Sequence, residues 1–132
     1  MGNTQITINS SFYKKMDEME NLLKEKVWLK GEQIVSYAAA ISPVRTGAYV
    51  ESFSVVPRGA GGGRSRSSEN RPDLPAGAKD AKKQEQASRL RAEVRAIDPL
   101  ESEGFTLRNR APHSTEVEAK DHVFLKTKDR FR

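Results

Sequence analysis

The chain contains no cysteine among its 132 residues and only two histidines. Without cysteine it forms neither disulfides nor thiolate metal sites. His113 and His122 have Glu118 and Asp121 as neighbours in the sequence, but they lack the H-E-x-x-H spacing of a helical zinc site. Isolated histidines in loops are usually solvated, so we expect no metal site and no cofactor.

Long hydrophobic runs are missing as well. No apolar stretch approaches the roughly 20 residues that a membrane-spanning helix needs, and the polar start MGNTQITINSS is unlike a signal peptide. Hydrophobic residues make up 36% of the chain and charged residues 31%, which predicts a thin core. We expect a single domain over residues 1–132 that is soluble, intracellular at synthesis and without membrane contact.

The chain also lacks a complete catalytic motif. The string GAGGGRS (59–65) resembles a phosphate-binding loop, but a P-loop needs Lys and then Ser or Thr directly after its last glycine, and Arg64-Ser65 follows here. No serine has the surroundings of a G-x-S-x-G nucleophile elbow. We therefore predict that the protein is not an enzyme.

Positive charge, by contrast, is concentrated in the middle of the chain. Of the net charge of +5, residues 58–98 carry +4, from ten Lys and Arg against six Asp and Glu. This segment has no interleaved aromatic residues for base stacking, so it predicts weak, sequence-independent attraction to DNA phosphates. The candidates for contact with DNA or with a partner protein are Arg58, Arg64, Arg66 and Arg71.

The first third of the chain predicts one long helix over about residues 11–41. Apolar residues recur at three-, four- and seven-residue steps, the spacing of one helical face. Such a helix is about 45 Å long, longer than a small core is wide, so part of its face is left uncovered. Gly31 marks either a bend or a close neighbour. The residues predicted to form an oligomer face are Met16, Met19, Leu23 and Val27.

A structural corner is predicted after this helix. Pro43 ends the helix, because it cannot donate the helical hydrogen bond and pushes the preceding residue out of the α region. Thr46 supplies a hydroxyl that can close a turn, and Gly47 is free to take a positive φ. The next residues, AYVESFSVV (48–56), alternate as a strand does. The residues on one face of this strand are Tyr49, Phe53 and Val55.

The remaining elements complete an α+β fold. Residues 58–75, rich in Gly, Ser and Arg, predict a mobile loop, and residues 76–98 predict an inserted helix with a narrow apolar seam. FTLRN (105–109) and HVFLKT (122–127) read as two further strands, and the final KDRFR as a frayed tail. We thus predict a long N-terminal helix packed on a small antiparallel sheet, with a basic flexible loop and a second helix inserted. The seam consists of Ala87, Leu90, Val94 and Ile97.

The string SPVRTGAYVESF (42–53) resembles a motif of the tail-completion or neck proteins of tailed bacteriophages. In that family a helix ends in a small residue and Pro, followed by an apolar residue, a variable one, Thr-Gly, Leu or a similar residue, and a Ser three further on. The string NRAPHSTEVE (109–118) resembles a second signature of this family. Where the family has an aromatic residue followed by Ala, this chain has His113-Ser114. The resemblance covers residues 10–56 and 104–120 and omits 58–98, which reads as an insertion. The matching positions are Pro43, Val44, Thr46, Gly47, Tyr49 and Ser52 in the first motif and Asn109, Pro112 and Glu118 in the second.

The resemblance implies a structural virion protein that forms a ring at the neck, joins the head connector to the tail and lines the DNA exit path. The partners it implies are copies of the chain itself and the neighbouring head-connector and tail proteins, with non-specific contact to genomic DNA. It implies assembly in the host cytoplasm and a final location at the junction of neck and tail. The matching residues build the corner and are not a reaction centre.

Two alternatives stay open. A tail terminator or minor tail subunit of the same fold would carry the same corner. A basic, non-specific nucleic-acid-binding protein would instead use residues 58–98 as its functional core rather than as an insertion.

Overall fold

A computed structural model describes residues 10–61, 71–111 and 113–131, with side chains from Lys14 onward in the first helix. The elements in chain order are α1 (Ser10–Ile41), α2 (Ala48–Glu51), β1 (Phe53–Pro57), α3 (Ala76–Arg95), β2 (Phe105–Asn109), α4 (Ser114–Asp121) and α5 (Val123–Arg130). The predicted α+β fold is confirmed, because the long helix α1 packs on a small antiparallel sheet together with the other helices.

The core lies between α1, α3 and the two strands. Helix α1 is unbroken, as its apolar spacing predicts, and it contributes Val35, Ala38 and Ala39 to the core. Helix α3 lies along α1, and the Trp28 indole N–H donates to the Ile97 carbonyl at 2.8 Å. The seam predicted for the helix over residues 76–98 is buried, with Ala87, Leu90 and Val94 in α3 and Ile97 two residues after the helix ends. Since α3 supplies one wall of the core, it is integral to the domain.

Gly31 marks a close neighbour rather than a bend. Phe105, at the start of β2, packs on α1 at this point. A Cβ atom built on Gly31 would lie 2.7 Å from Phe105 Cε1 and 2.9 Å from Val94 Cγ1. A side chain at this position would therefore force its neighbours apart, and glycine allows the strand and both helices to meet.

The two strands form an antiparallel sheet, and α3 covers the edge that β1 forms. The paired residues run from Phe53↔Asn109 to Pro57↔Phe105. At the outer edge of β1, the Val55 N–H donates to Glu93 Oε1 at 3.3 Å, and Arg89 Nη2 donates to the Phe53 carbonyl at 2.9 Å. Arg89 and Glu93 also pair with each other. These side chains occupy the backbone groups that a third strand would need.

The strand predicted from Ala48 begins only at Phe53, so the first part of that prediction was wrong. A helical turn, α2, replaces it. Gly47 has a positive φ of 89° and precedes the turn, and the Ser52 hydroxyl donates back to the Ala48 carbonyl at 2.7 Å. The helical turn gives its backbone groups hydrogen-bond partners of its own. A strand segment without a neighbouring strand would leave these groups unpaired.

Tyr49 consequently does not share a strand face with Phe53 and Val55. It lies in α2, one helical turn before Phe53, and the two rings meet edge to face with 5.2 Å between their centroids. Asn109 Nδ2 donates to the Tyr49 carbonyl at 2.8 Å and so ties the turn to the end of β2.

The third strand predicted over residues 122–127 was also wrong, because helix α5 occupies this part of the chain. His122 has a positive φ of 52° and separates α4 from α5. Val123 and Thr127 then both reach the core at helical i,i+4 spacing, and the Thr127 hydroxyl donates to the Val123 carbonyl at 2.7 Å. The predicted frayed tail is helical as far as Arg130, and the last residue of the chain lies outside the described residues.

Candidate functional site

Most of the exposed large hydrophobic side chains lie on the first half of α1. These residues, the apolar stripe, are Met16 (45% exposed), Met19 (63%), Leu22 (64%) and Leu23 (50%). Every residue from Lys14 to Leu23 is exposed, whereas the Lys24 ammonium already lies 3.1 Å from Asp98 of the body. This part of α1 therefore projects beyond the core that the described residues form, and an exposed apolar surface of this kind is typical of a site that contacts another molecule.

The apolar stripe includes three of the four residues predicted as an oligomer face. Met16, Met19 and Leu23 are exposed, but Val27 is half-buried. Leu22 was missed, because the series of apolar residues that indicated the face continues from Met19 to Leu23 and passes over Leu22. Its exposure becomes evident only once the length of the uncovered part of α1 is known.

A second apolar surface, the groove, opens between α1, β2 and α5. It is an open depression of about 610 Å³. Its apolar lining consists of Ile34, Phe105, Leu107, Phe124 and Phe131. Lys128 lies at its rim, and the Lys30 ammonium is 4.9 Å from the centroid of the Phe131 ring. Sequence reasoning missed the groove, because one of its walls is the helix that was predicted as a strand.

The corner itself is a tightly bonded turn, as its sequence predicts. Gly47 takes the expected positive φ, and Thr46 Oγ1 accepts a hydrogen bond from the Ala48 N–H at 3.2 Å. Tyr49 and Ser52 are buried. Pro43 and Val44, the other two residues of the motif, are half-buried. These six positions lie together and form a structural element.

The Tyr49 phenol is the most perturbed acid of the corner. Its ring lies 5.9 Å from the His113 ring, centroid to centroid, and its hydroxyl has no hydrogen-bond partner within the described ranges. Burial, and then the carboxylates of Glu118 and Asp121, raise the pKa of Tyr49. The phenol is therefore neutral throughout the physiological pH range and is unsuited to act as a base.

Glu51 ties the inserted segment to the corner. Its side chain is 13% exposed, accepts a hydrogen bond from Arg71 at 2.8 Å and pairs with Lys82 of α3. A backbone bond reinforces this contact, since the Leu74 N–H donates to the Arg45 carbonyl at 2.7 Å. The part of the predicted 58–75 loop around residues 71–75 is thus bound to the corner, whereas residues 62–70 lie outside the described ranges.

Replacing Glu51 with glutamine is expected to lower the free energy of unfolding by about 1–3 kcal/mol at pH 7, because two cations lose their charged partner. Burial alone would raise the pKa of Glu51, but the hydrogen bonds from Arg71 and Lys82 outweigh it, and the pKa lies below its usual 4.5. A depressed folded-state pKa stabilises the protein above the unfolded value, and this stability is lost as the pH falls through the folded value.

Urea denaturation at pH 7 and again at a pH below the folded-state pKa of Glu51 measures this effect. The difference between wild type and Glu51→Gln should shrink at the lower pH, since both then carry a neutral side chain at this position. Glu101→Gln, at an exposed carboxylate, is the control and should unfold like the wild type at both values. A pH-independent difference would show that the contact does not depend on the charge of Glu51.

The arginines predicted to contact DNA or a partner fall into three groups. Arg58 is exposed directly after β1. Arg71 is bound to Glu51. Arg64 and Arg66 lie outside the described residues, so the structure does not test them.

The cations of α3 hold this helix against the rest of the domain. The contacts are Lys83 with the Ala40 carbonyl, Arg91 with Ser36, and Arg95 with Glu25 and Glu32. All three side chains reach α1. The helical half of the basic segment therefore contributes to packing, and the charge excess of residues 58–98 does not form one uninterrupted basic face.

Neither metal ligation nor membrane insertion is indicated by the parts of the chain that the structure describes. Within residues 10–61, 71–111 and 113–131, no three His, Cys, Asp or Glu side chains group as a metal site would require. Over the same ranges, no helix combines the length and the apolar character that crossing a membrane needs.

Comparison with known proteins gives no relative. The chain matches no protein-family model, and no curated protein or solved structure matches it either.

Proposed function

We propose that the chain is a structural subunit of a tailed bacteriophage, which forms a ring at the neck, joins the head connector to the tail and lines the DNA exit path. The observation that carries the proposal is the apolar stripe, four large side chains exposed on a helix that projects beyond the core. Large exposed apolar surfaces mark protein interfaces, and a contact that repeats between identical chains closes into a symmetric ring when the rotation between neighbours divides a full turn.

The corner supports the same role. Its motif is the one that resembles the neck and tail-completion proteins, and its residues fix the direction in which the chain leaves α1 and enters the sheet. A subunit of a ring needs such a rigid junction, because small changes of angle accumulate around the closed assembly. In this role the partners are other copies of the chain and the adjacent head-connector and tail proteins in the virion.

A tail terminator or minor tail subunit is the second candidate, because the apolar stripe would serve equally in a ring that caps the tail tube. A nucleic-acid-binding protein is less well supported. Its functional surface would have to include α3, and four of the six cations of this helix, namely Lys82, Lys83, Arg91 and Arg95, are engaged with α1 or the corner.

Negative-stain electron microscopy of the purified chain tests the proposal. We expect rings with a central opening for the wild type and their loss in the double variant Met19→Gln/Leu23→Gln, whose stripe is polar. Leu125→Gln is the matched control, since Leu125 is as exposed as the stripe residues but lies on α5. Fields of small particles without rings in the wild type would contradict the proposal.

Attraction to DNA is expected to be weak, independent of sequence and strongly reduced by salt, because phosphate charge is its main source. Arg58, Arg64 and Arg66 are the first candidates, since Arg71 is already paired with Glu51. Replacing all three with alanine should lower the slope of log affinity against log salt by about 2–3. Fluorescence anisotropy with two unrelated duplexes measures the affinity from which this slope is obtained.

Arg110→Ala removes one exposed cation outside this segment and serves as the control for this measurement. It should change the salt slope by about 1 or less. Strong preference for one of the two duplexes, or unchanged binding by the triple variant, would count against an electrostatic contact made by this segment.

A further inference from the structure

The two edges of the sheet differ in what covers them. At the edge that β1 forms, Arg89 bonds to the Phe53 carbonyl and Glu93 to the Val55 N–H. At the outer edge of β2, the side turned away from β1, no hydrogen bond within residues 10–61, 71–111 and 113–131 reaches the outward backbone groups. Such an edge is a template for a further strand.

Two hydrogen bonds at the ends of the sheet fix which backbone groups of β2 point outward. The Arg58 N–H donates to the Gly104 carbonyl at 3.2 Å, and the Arg110 N–H donates to the Ser52 carbonyl at 3.3 Å. Residues of an antiparallel strand alternate between the two sides, so the even-numbered residues of β2 bond to β1. The residues whose N–H and C=O groups point to the outer edge are Phe105, Leu107 and Asn109.

The groove lies directly beside this edge. Phe105 and Leu107 line it, so their side chains are on the groove side of β2. In an antiparallel pair, residues directly opposite each other carry their side chains on the same face. A strand added to this edge therefore places every second side chain in the groove, where it meets Ile34, Phe124 and Phe131.

The open backbone groups identify the chemistry of the occupant. N–H and C=O groups recur along this edge at every second residue, about 6.8 Å apart. The backbone of another extended chain presents acceptors and donors at the same spacing, whereas a helix uses its own backbone groups internally. In recognition by strand addition, these bonds give affinity and the adjoining pockets select the side chains. An apolar groove selects apolar side chains at alternate positions.

Another copy of the chain does not supply this strand in the proposed ring. The outer edge of its β1 is covered by α3, so among the described residues the strand edge that it can offer is that of β2. Two copies that pair the same edge are related by a two-fold axis. Neighbours in a ring of more than two subunits are related by rotation about the ring axis instead. The strand therefore comes from a different polypeptide.

We propose that the outer edge of β2 binds an extended segment of an adjacent virion protein, antiparallel and with apolar side chains at alternate positions entering the groove. The inference rests on the proposed function, for which it specifies the contact with the protein next to the ring. Antiparallel pairing is the more stable arrangement per residue. The apolar stripe then joins copies of the chain, and the β2 edge joins the ring to its neighbour.

A synthetic strand is the probe for this edge. It is a blocked peptide of about seven residues in which valine and threonine alternate. In the antiparallel arrangement, the residues whose side chains enter the groove also direct their N–H groups to β2. Methylating the valine nitrogens should therefore weaken binding about 10-fold or more, and methylating the threonine nitrogens should leave it unchanged.

Nuclear magnetic resonance titration of the stripe variant Met19→Gln/Leu23→Gln measures this binding, because the variant is expected to stay in single copies. The largest shifts should occur at the amides of Phe105, Leu107 and Asn109. Equal binding of the two methylated peptides would show a contact made by side chains alone and would overturn the proposal. No binding of the unmodified peptide would overturn it as well.

Hydrogen exchange of the same amides provides a second readout. In the free variant, the Leu107 amide should exchange about 100-fold or more faster than those of Thr106 and Arg108, which donate to β1. The peptide should slow the exchange of Leu107 and leave the other two unchanged. Protection of Leu107 in the free variant would mean that the edge is already occupied, and the proposal would be wrong.

The outcomes distinguish this contact from the proposed ring. Peptide binding by a wild type that forms no rings would retain the strand-binding edge and remove the neck function. Rings of a wild type that binds no peptide, with Leu107 still exchanging rapidly, would retain the neck function and remove the contact. Protection of Leu107 on ring formation alone would assign the edge to contacts between copies and overturn the proposal.

Discussion

Replacing Phe53 with alanine is expected to lower the free energy of unfolding by about 3–5 kcal/mol, the range for a large aromatic removed from a packed core. Phe53 is 0% exposed. Its ring lies between those of Tyr49 and Phe124, with centroids 5.2 and 5.8 Å away. Alanine would leave a cavity that separates the corner from α5, so the substitution should loosen both at once.

Urea denaturation followed by circular dichroism measures this loss, with Leu125→Ala as the control. Leu125 is exposed on α5, and its truncation should cost within about 0.5 kcal/mol. A loss below about 1 kcal/mol for Phe53→Ala would mean that the ring is not packed as described. A chain of this size with a thin core has little stability to spare, so the variant is also expected to be partly unfolded at 37 °C.

Replacing Gly47 with valine is expected to destabilise the fold by about 2–4 kcal/mol, through two separate causes. The φ of 89° is strained for any residue with a side chain and most strained for a β-branched one. A Cβ atom there would also lie 2.9 Å from Lys82 Cε. Lys82 cannot simply move away, because its ammonium is held by Glu51.

Two other glycines separate the backbone cause from the packing cause. Gly59 has a φ of 78° and no atom within 4 Å of a built Cβ, so Gly59→Val carries strain alone. Gly61 has neither feature, and Gly61→Val should leave stability within about 0.5 kcal/mol of the wild type. Gly47→Val should cost more than Gly59→Val. Equal values would remove Lys82 from the explanation, and a Gly47→Val protein as stable as the wild type would contradict both causes.

The helical parts of the core were predictable because local periodicity and tertiary packing agree there. The face of α1 and the seam of α3 repeat at helical steps, and both are buried where α1 meets α3. The positive φ of Gly47 was equally predictable, because Gly47 follows the helix-ending Pro43 within the corner and glycine adopts a positive φ readily. In these places the burial of each side chain follows from its neighbours in sequence.

The wrong predictions fall where short segments depend on distant contacts. AYVE and VFLKT each contain enough apolar residues for a strand or a helix, and length cannot decide between them at four to eight residues. Hydrogen bonds at Ser52 and a left-handed residue at His122 set the outcome. The groove and the Glu51 contacts were beyond sequence reasoning, because their residues are brought together only by the complete fold.

The inserted segment gains a structural role that its composition did not suggest. Arg89 and Glu93 of α3 cover the free edge of β1, and Leu90 fills the core below them. An edge strand without such cover would pair with other chains along its backbone. Helix α3 thereby blocks strand pairing at this edge of β1, and the exposed apolar surfaces that the structure describes lie elsewhere, at the stripe and the groove.

We expect the purified chain to associate with itself through its apolar surface, and its molar mass in solution tests this expectation most directly. Size-exclusion chromatography with light scattering should give a fixed multiple of the 14.7 kDa chain mass. Because burial of apolar surface drives the contact, this mass should persist at high salt, where exposed ion pairs are screened. A mass of one chain at every concentration and salt, for a folded protein, would contradict the expectation.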